Sequence, residues 1–362
     1  MDDRAEPRRQ ALRRCERILS GIRPATVRER LAAWAPGPDE SPDIYGAGGP
    51  VRTLEERVAE LLGTEAAVFF PTGTMAQQVA LRCWAARTGN AVVASHPLAH
   101  PEMHERHAYS VLSGLRSVWP TREPRHPTAA EILGCDEPFG TLLVELPLRD
   151  AGFVLPSWEE LTALVAAARD RGARVHFDGA RLWESTAYLG RSLAEIAALA
   201  DSVYVSFYKT LGGISGAALA GPAEVMTEVR AWRHRYGGQV FQQWPAALAA
   251  LHGLDTVLPQ LGTYVEHART VAAALAQAPG SRVHPEPPHT HQFQWWLPHP
   301  ADALNDAALR QAEEDRTWVC GGWVDAAPGY AMAEVTIAQA ALAWTAQDVD
   351  TAVSELLARL PR

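Results

Sequence analysis

Two segments of the chain each end an apolar run at a polar residue that can do chemistry. In RVHFDGARLWE, residues 174–184, that residue is Asp178, and in VSFYKTLGGISGAALAG, residues 205–221, it is Lys209. Glycine and small residues follow both, a pattern typical of buried parallel strands that end at a ligand. A lysine amine can hold an aldehyde as a Schiff base, and a carboxylate can keep a pyridine nitrogen protonated. The two segments therefore predict a site for pyridoxal phosphate.

A third segment carries groups that can bind a phosphate. FFPTGTMAQQVALR, residues 69–82, places a Thr-Gly-Thr turn between an apolar strand and a helix. The first backbone N–H groups of a helix have no partner within it and bind anions. We predict Gly73 and Thr74 as phosphate ligands, with Thr72 beside them. The same pattern is typical of an ordinary helix N-cap, so this motif alone leaves both interpretations open.

Strands and helices are predicted to alternate around these three segments. Apolar runs predict further strands at 66–70, near residue 92 and at 141–146, and helical spacing predicts helices at 54–63, 75–87 and 157–171. The alternation predicts an α/β fold with a mostly parallel sheet and helices on both of its faces. Because parallel strands bring their carboxyl ends to one edge, Asp178 and Lys209 are expected to face one pocket.

The length of 362 residues is enough for a large domain and a smaller second one. Residues 5–34 have helical character and lead into a proline- and glycine-rich connector, APGPDESPD, at 35–43. Beyond His252 the alternation gives way to an alanine-rich helix, a proline- and histidine-rich stretch and a final helix that opens near Thr345. We therefore expect an N-terminal helical segment at 1–43, a large α/β domain at 44–253 and a small C-terminal α+β domain at 254–362.

The charge balance argues against nucleic acid as a partner. The chain has a formal net charge of -9, whereas nucleic-acid binding needs clustered lysines and arginines on one face. The arginines of the N-terminal segment alternate with Glu6 and Glu16, which predicts a solvated helix rather than a basic arm.

The sequence predicts a cytoplasmic protein without membrane contact. It has no run of 18 apolar residues, and its polar N-terminus lacks the apolar core of a secretory signal. The cysteines fit reduced, buried thiols better than disulfides or a zinc site, because they are scattered and form no CxxC pair. They are Cys15, Cys83, Cys135 and Cys320.

The DGAR motif that opens at Asp178, followed by a lysine in a glycine-rich turn, resembles the L-threonine aldolase and β-eliminating lyase family of fold-type I pyridoxal phosphate enzymes. The resemblance runs from about Ile44 to Gly253 and includes Tyr45–Gly46, the helix LEERVAELLG and the Thr-Gly-Thr turn in that order. It implies pyridoxal 5'-phosphate as the cofactor, Lys209 as its Schiff-base lysine and phosphate binding at the turn. It also implies a homodimer or homotetramer with shared sites, in which Tyr45 and the segment 233–235 reach the partner.

The resemblance implies a side chain stacked on the cofactor ring, in the segment SHPLAHPEMHERHAYSVLSG at 95–114. Aligning its VLSG end places His100 at the stacking position and Glu105 at an acidic position one turn later. The other three histidines of the segment, His96, His104 and His107, are interpreted as surface or structural residues. A metal cluster is the less favoured alternative, because no matching helix of carboxylates and histidines stands elsewhere, so we expect no metal site.

Two further charged residues are implied to support the site. Arg181 lies about one turn after Asp178, where its guanidinium can hold the phenolate oxygen of the cofactor or the carboxylate of the substrate. An exposed structural arginine is the alternative. Glu145 ends the predicted strand LLVEL, where the family also has a glutamate, so either support of the cofactor site or a structural role is open.

The chain departs from the family where the substrate is handled. An RSDT-like opening segment is missing, and Leu148 stands where the family has a histidine near the substrate hydroxyl. Phe241 replaces a phosphate-side arginine, so either Arg233 or Arg235 substitutes for it or the charge is missing. The remaining departures are Ala333 in place of an arginine that grips the substrate carboxylate and Tyr208 in place of a serine. Tryptophans at 295, 296, 318 and 323 either line a more apolar pocket or belong to the core.

The cofactor half of the predicted site is thus retained and the substrate half is altered. We predict a pyridoxal phosphate-dependent lyase whose catalytic residues are Lys209, His100, Asp178 and Arg181, and which cleaves a β-hydroxy-α-amino acid other than threonine to glycine and an aldehyde. The base that takes the hydroxyl proton is not identified. Alternatives are β-elimination, racemisation or other chemistry at the α-carbon of a larger amino acid, and a catalytically silent pyridoxal phosphate-binding protein.

Overall fold

The computed structural model describes residues 5–34 and 40–361, so residues 35–39 of the predicted connector lie outside the described residues. The strands are β1 (Arg17–Ile18), β2 (Ala66–Phe70), β3 (Val92–Ala94), β4 (Arg116–Val118), β5 (Thr141–Glu145), β6 (Arg174–Gly179), β7 (Ser202–Ser206), β8 (Ala217–Gly221), β9 (Arg282–His284), β10 (Gln292–Leu297), β11 (Thr317–Trp318), β12 (Val324–Ala327) and β13 (Tyr330–Thr336). The α-helices are α1 (Ala5–Arg14), α2 (Val27–Trp34), α3 (Gly49–Leu62), α4 (Gly73–Thr88), α5 (His100–Met103), α6 (Ala108–Ser113), α7 (Ala129–Leu133), α8 (Trp158–Asp170), α9 (Thr186–Leu189), α10 (Leu193–Ala197), α11 (Ala223–Arg235), α12 (Trp244–Thr256), α13 (Leu261–Leu275), α14 (Ala301–Glu314) and α15 (Ala346–Ala358). Short 3₁₀ turns lie at Leu182–Glu184, Leu258–Gln260 and Gln339–Ala343.

The chain divides into two compact units. One is Trp34–Pro259, and the other combines Met1–Ala33 with Gln260–Arg362. The sequence treats residues 1–43 as a segment of its own, whereas the structure assigns the N-terminal residues and the C-terminal third to one unit. Within the described residues, no helix is both long and apolar enough to cross a membrane.

The unit Trp34–Pro259 is built on a seven-stranded sheet. Its strand order is β2-β8-β7-β6-β5-β3-β4, and every neighbouring pair is parallel except the two pairs that β8 makes. The prediction of a mostly parallel α/β fold is therefore confirmed. Strands β5 and β7 are buried along their whole length, which fits central strands covered on both faces.

Helix caps explain where the predicted helices of this unit begin and end. Ser157 and Glu160 form a capping box at the start of α8, each side chain accepting a backbone N–H of the other residue. Thr72 caps α4 by accepting the N–H of Met75. Helix α3 ends at Gly63, whose φ of 61° is in the left-handed region that glycine adopts without strain. These boundaries lie within a few residues of the predicted ones, except that α3 begins earlier.

The other unit is an α+β arrangement, as predicted for the C-terminal domain. Its four-stranded sheet has the order β12-β13-β10-β9, and all of its pairings are antiparallel. Thr345 and Asp348 form a capping box at the start of α15, the predicted final helix.

Residues 5–34 have the predicted helical character only in part, because a short strand and a loop separate the helices α1 and α2. Helix α1 ends at Arg14, and β1 pairs in parallel with β11, with Arg17 opposite Thr317. Gly21 has a φ of 93°, which a helix does not tolerate. The apolar residues of the segment pack against α14 and β11 rather than along one helix face, in a cluster of Ala11, Cys15, Ile18, Ala312 and Trp318.

Candidate active site

Asp178 and Lys209 lie at the carboxyl ends of neighbouring parallel strands. Asp178 stands near the end of β6, with Tyr204 of β7 as its register partner. Lys209 follows the last residue of β7, Ser206, in a bend. Lys209 is also the only lysine in the sequence, because the 32 other Lys or Arg positions are all arginine. The chain therefore has a single side chain that carries a primary amine, and it lies at this strand end.

Asp178 has a carboxylate oxygen that is ready for a ligand. The side chain is buried, and its Oδ1 accepts the backbone N–H of Ala180 at 3.1 Å. Its Oδ2 is buried and has no hydrogen-bond partner among the described residues. Burial raises the pKa of Asp178, although the positive charge of Lys209 and then that of His100 oppose the shift. An N–H cation beside Oδ2 would supply the missing partner and favour the ionised carboxylate.

Lys209 is held in surroundings that favour its neutral amine. Burial lowers the pKa of Lys209, and the charge of Arg181 lowers it further, while the carboxylates of Asp178 and Glu145 act in the opposite direction. A neutral amine is the form that attacks a carbonyl carbon.

His100 is the first residue of the short helix α5, close to these two charged groups. Its Nδ1 lies 3.4 Å from Oε1 of Glu105, and Oε2 of Glu105 accepts from Nε2 of Gln78 at 3.1 Å. Burial by itself would lower the pKa of His100, but contact with Glu105 and the charge of Asp178 raise it above its ordinary value. The structure thus places His100 in contact with Glu105, and the charges of Asp178 and Lys209 are close enough to act on the pKa of His100.

Glu145 ties two segments of the site to the sheet. It ends β5 and lies opposite Asp178 on β6. Its Oε2 accepts the backbone N–H of His100 at 2.7 Å, and its Oε1 accepts that of Arg149 at 3.2 Å. Burial and then the charge of Asp178 raise the pKa of Glu145 to about 7. A single buried carboxylate therefore fixes the start of α5 and the loop after β5.

Arg181 and Glu184 extend the site beyond the end of β6. The guanidinium of Arg181 lies 5.4 Å from the ring centre of Phe153, and its charge acts on Lys209. Glu184 is buried, and its Oε2 accepts from Oγ1 of Thr210, the residue after Lys209, at 2.5 Å. Burial raises the pKa of Glu184 to about 7, against the opposing charge of Arg181. Glu184 thus anchors the bend that carries Lys209.

The predicted phosphate turn forms the N-terminus of α4. Thr72 is exposed, Thr74 is half-buried, and Gly73 is the first helical residue. A Cβ atom at Gly73 would overlap the hydroxyl group of Tyr204, so glycine is needed there for α4 to approach β7. Because Tyr204 is the register partner of Asp178, this helix N-terminus and the buried carboxylate belong to the same end of the sheet.

The positions that depart from the family have definite places in the structure. Leu148 is buried with Ala151 and Val154, and the half-buried Leu98 packs against them. Phe241 is exposed, and its ring lies 5.3 Å from that of Tyr45. These two positions of the unit Trp34–Pro259 hold apolar side chains.

The two arginines considered as substitutes are both engaged within the chain. Arg233 is buried, and its Nη1 donates to the carbonyl oxygen of Phe69 at 2.7 Å. The exposed Arg235 lies over the ring of Trp232, at 4.5 Å from its centre. The resemblance implies that the segment 233–235 reaches a partner subunit, and in the structure Arg233 of that segment is bonded within its own chain. In the other unit, Ala333 is buried on β13.

Sequence reasoning missed three charged residues near the site: Arg149, Asp150 and Glu184. The charge of Arg149 acts on Lys209, and Asp150 holds His104 at 2.5 Å between Oδ2 and Nε2. Glu184 was visible in DGARLWE, one turn after Arg181, but nothing in that pattern indicates that it is buried. Among the described residues, no group of three or more His, Cys, Asp and Glu side chains is arranged to hold a metal ion.

Comparison with known proteins links this arrangement to one family. Residues 25–295 match the family model described as beta-eliminating lyase. The low specificity L-threonine aldolase of Escherichia coli K12 is 31% identical over 242 residues, which are 65% of this chain and 72% of that protein.

Two crystal structures resemble the chain along nearly its whole length. A candidate aromatic amino acid beta-eliminating lyase/threonine aldolase from Exiguobacterium sp. 255-15 is 35% identical, with a TM-score of 0.91, and the match covers 98% of this chain and 100% of that one. A candidate L-allo-threonine aldolase from Listeria monocytogenes EGD-E is 33% identical, also with a TM-score of 0.91, and the match covers 98% and 99% of the two chains.

Proposed function

The chain belongs to the beta-eliminating lyase family, and from that premise we propose that it binds pyridoxal 5'-phosphate and cleaves a β-hydroxy-α-amino acid to glycine and an aldehyde. The relatives named as threonine aldolases support this type of cleavage. The altered substrate side of the site supports an amino acid larger and more apolar than threonine.

One observation carries the proposal: the only lysine of the chain lies beside a buried carboxylate that has an oxygen without a partner. Arginine cannot form a Schiff base, so a lysine retained alone in an arginine-rich chain indicates chemistry that needs a primary amine. Oδ2 of Asp178 is suited to the protonated nitrogen of a pyridine ring.

The other residues of the site have roles that follow from their positions. Gly73 and Thr74 present the first N–H groups of α4 to a phosphate, with the Thr72 hydroxyl beside them. His100 covers the ring of the cofactor, and Arg181 orients the carboxylate of the substrate. When it is bound, pyridoxal phosphate supplies the sink for the electron pair left on the α-carbon.

The function is tested by product analysis. The purified protein is supplied with pyridoxal phosphate and incubated with L-threonine, L-allo-threonine and L-phenylserine, and glycine and the matching aldehyde are measured. The proposal predicts equal amounts of the two products from at least one of these substrates. Formation of a 2-oxo acid and ammonia would instead indicate β-elimination. Appearance of the diastereomer inverted at the α-carbon, without cleavage, would indicate racemase chemistry, and a bound cofactor without any product would indicate a silent binding protein.

A homo-oligomer is part of the same proposal. Ile44, Tyr45, Val240 and Phe241 are large apolar side chains that are all exposed, and the loop that carries Tyr45 is bonded to the loop that carries Phe241 through the Tyr45 N–H and the Phe241 carbonyl oxygen at 2.8 Å. An apolar patch of this kind is typical of a surface covered by another subunit. Light scattering tests it: a dimer or tetramer is expected, and a fully active monomer would contradict it.

A cytoplasmic location is proposed as well. The four cysteines are free thiols, and burial raises the pKa of Cys83 and of Cys320 to about 12, which makes both unreactive. Fractionation of cells that produce the protein tests the location.

A further inference from the structure

The proposed cleavage needs a group that removes the proton of the β-hydroxyl, and Leu148 offers none. Its side chain is apolar and buried. We propose that His104, oriented by Asp150, is the catalytic base of this step. The inference rests on the proposed function, since it names the residue that performs one step of that reaction.

His104 is the imidazole next to His100. It directly follows the short helix α5 that His100 begins, and its backbone N–H donates to the carbonyl oxygen of His100 at 2.9 Å. The centres of the two rings lie 5.3 Å apart, with an angle of 48° between their planes. If His100 stacks on the cofactor ring, the ring of His104 lies next to it, at a distance from the reacting centre that a substrate side chain can span.

Asp150 reaches His104 from the loop that follows β5. Its Oδ2 is 2.5 Å from Nε2 of His104, and its Oδ1 is 3.4 Å from Nη1 of Arg149. The two segments that carry this pair are both fixed by Glu145, which accepts the backbone N–H groups of His100 and Arg149. The contact between His104 and Asp150 is therefore set by the same buried carboxylate that fixes His100.

The contact defines which nitrogen of His104 can act as a base. An ionised carboxylate only accepts hydrogen bonds, so Nε2 carries the proton and Nδ1 keeps its lone pair. Among the described residues, no hydrogen bond to Nδ1 of His104 is found, and 38% of the side chain is exposed. A histidine with a carboxylate on one nitrogen and the other nitrogen free has the arrangement of an oriented general base.

The neighbouring histidines are not available in this way. Both ring nitrogens of His96 are engaged, Nε2 with the carbonyl oxygen of Glu123 at 2.7 Å and Nδ1 with the N–H of Leu98 at 3.0 Å. Nδ1 of His100 faces Glu105. His104 is thus the one of these three histidines that has a carboxylate on one ring nitrogen and no hydrogen bond to the other among the described residues.

The proton and the electron pairs of the cleavage step can all be accounted for. Nδ1 of His104 takes the hydroxyl proton, and the O–H electron pair becomes the second bond of the new carbonyl group. The Cα–Cβ bond breaks, its electron pair stays on the α-carbon, and the aldehyde departs. The carboxylate of Asp150 stabilises the positive charge that His104 gains. The α-carbon then takes up a proton as glycine forms, and His104 releases its proton to water.

His104→Asn removes the base, and His107→Asn is the matched control. His107 is exposed in the same segment, and its φ of 59° is one that asparagine tolerates. For His104→Asn, kcat on the β-hydroxy amino acid that the wild type cleaves best should fall by roughly 10²- to 10⁴-fold, the usual contribution of general base catalysis, with little change in KM. His107→Asn should keep the wild-type kcat.

Two further comparisons separate a base from a structural residue. Exchange of the α-hydrogen of glycine with deuterium oxide involves no hydroxyl, so His104→Asn should exchange glycine at the wild-type rate. Asp150→Asn should lose less activity than His104→Asn, and the double variant should be no slower than His104→Asn alone, because the two residues act as a unit.

A measurement on the cofactor-free protein tests the pair without turnover. The ¹⁵N spectrum of the imidazoles, with His104 assigned by its absence in His104→Asn, should show His104 as the Nε2–H tautomer. Asp150→Asn should convert it to a mixture of tautomers. An Nδ1–H tautomer in the wild type would overturn the inference.

The kinetic outcomes distinguish this inference from the function on which it rests. If the wild type cleaves β-hydroxy amino acids and His104→Asn keeps its kcat, His104 is not the base and the proposed function stands. If His104→Asn loses glycine exchange together with cleavage, the residue supports the whole site and the inference is overturned. If the wild type exchanges glycine but cleaves no β-hydroxy amino acid, the proposed function fails and the inference falls with it.

Discussion

The two halves of the candidate site differ in what holds their polar groups. On the cofactor side, Asp178 lies within the central strand β6, and Lys209 follows the neighbouring central strand β7. On the proposed substrate side, His104 directly follows a four-residue helix and Asp150 lies in a loop. Burial dominates the pKa shifts of the first pair, whereas the second pair is partly exposed.

This difference explains which half keeps the family pattern. The backbone of a residue in a central parallel strand is fixed by hydrogen bonds to strands on both sides, so its side chain keeps one direction. Loops at the edge of a sheet tolerate change and carry specificity. In this chain the loop after β5 carries Leu148 where the resemblance leads us to expect a histidine, and it also carries Arg149, whose charge acts on Lys209, and Asp150, which contacts His104. The predictions that follow test the two halves separately, from the largest expected effect to the smallest.

Asp178→Asn should produce the largest loss on the cofactor side. A neutral amide cannot keep a pyridine nitrogen protonated, so kcat should fall by roughly 10²- to 10³-fold, as when a preorganised electrostatic group is removed, while the cofactor remains bound. Steady-state kinetics and the visible absorbance of the bound cofactor measure both effects. Asp170→Asn, an exposed change at the end of α8, is the control. An unchanged kcat in Asp178→Asn would make Asp178 a structural residue.

The substrate side should discriminate between amino acids of different size. Leu148 presents an apolar wall with Ala151 and Val154, and it removes a polar partner for the small side chain of threonine. A missing hydrogen-bond partner costs about 1–3 kcal/mol, so kcat/KM for L-threonine should be roughly 5- to 150-fold below that for L-phenylserine. Equal values for the two substrates would show that the loop after β5 does not set the preference.

Glu145→Gln tests the link between the two halves. The carboxylate accepts the N–H groups of His100 and Arg149, whereas an amide keeps one oxygen and turns a donor toward the other N–H. Leaving that N–H unsatisfied should cost about 1–3 kcal/mol of unfolding free energy. Hydrogen exchange at the two amides should become faster. Because His100 and Arg149 are then held less firmly in the site, transition-state stabilisation should drop by about 1.4 kcal/mol, which is a roughly tenfold fall in kcat. Glu159→Gln, at an exposed position in the first turn of α8, should change neither quantity.

The prediction with the smallest effect on activity concerns the stability of the fold beneath the site. His176 is buried on β6 and is bonded to Ser202 at 2.8 Å and to Gln77 at 2.9 Å. Burial lowers its pKa to about 4. Below its ordinary pKa of 6.5, His176 binds a proton in the unfolded chain but stays neutral in the folded chain. The contribution of neutral His176 to the unfolding free energy is therefore complete above pH 6.5 and is lost as the pH falls toward 4. The loss should reach about 3 kcal/mol at most.

His176→Gln isolates this effect. The variant should be less stable than the wild type at pH 7, because it disturbs a buried hydrogen-bonded cluster. Its unfolding free energy should nevertheless fall less steeply between pH 6.5 and pH 4 than that of the wild type. Urea unfolding of the cofactor-free proteins measures the difference. Parallel curves for the two proteins would mean that His176 does not titrate as described.

The strand-borne half of the site could be predicted from sequence because its signals are local. An apolar run that ends at Asp178, and another that leads to Lys209, are visible without knowledge of the fold, and so is the Thr-Gly-Thr turn before α4. The mostly parallel sheet follows from the alternation of strands and helices. The signals for Asp178, Lys209 and the Thr-Gly-Thr turn each lie within one element and its flanking turn.

The parts that could not be predicted depend on contacts between distant residues. His104 and Asp150 are 46 positions apart, and no spacing rule connects them. Glu184 becomes part of the site only because Thr210 approaches it. The strand within the N-terminal segment could not be predicted, because its pairing with the distant β11 leaves no local signal beyond Gly21.

Reduction of the loaded protein with borohydride tests the central claim most directly. The reagent fixes a Schiff base as a stable amine, and the chain has only one lysine side chain at which this can occur. We predict that the cofactor is attached to Lys209, that trypsin no longer cuts there, and that residues 192–230 appear as one peptide carrying the added mass. Lys209→Arg should show no adduct. An unmodified Lys209 after reduction, or an adduct confined to the N-terminal amine, would contradict the account.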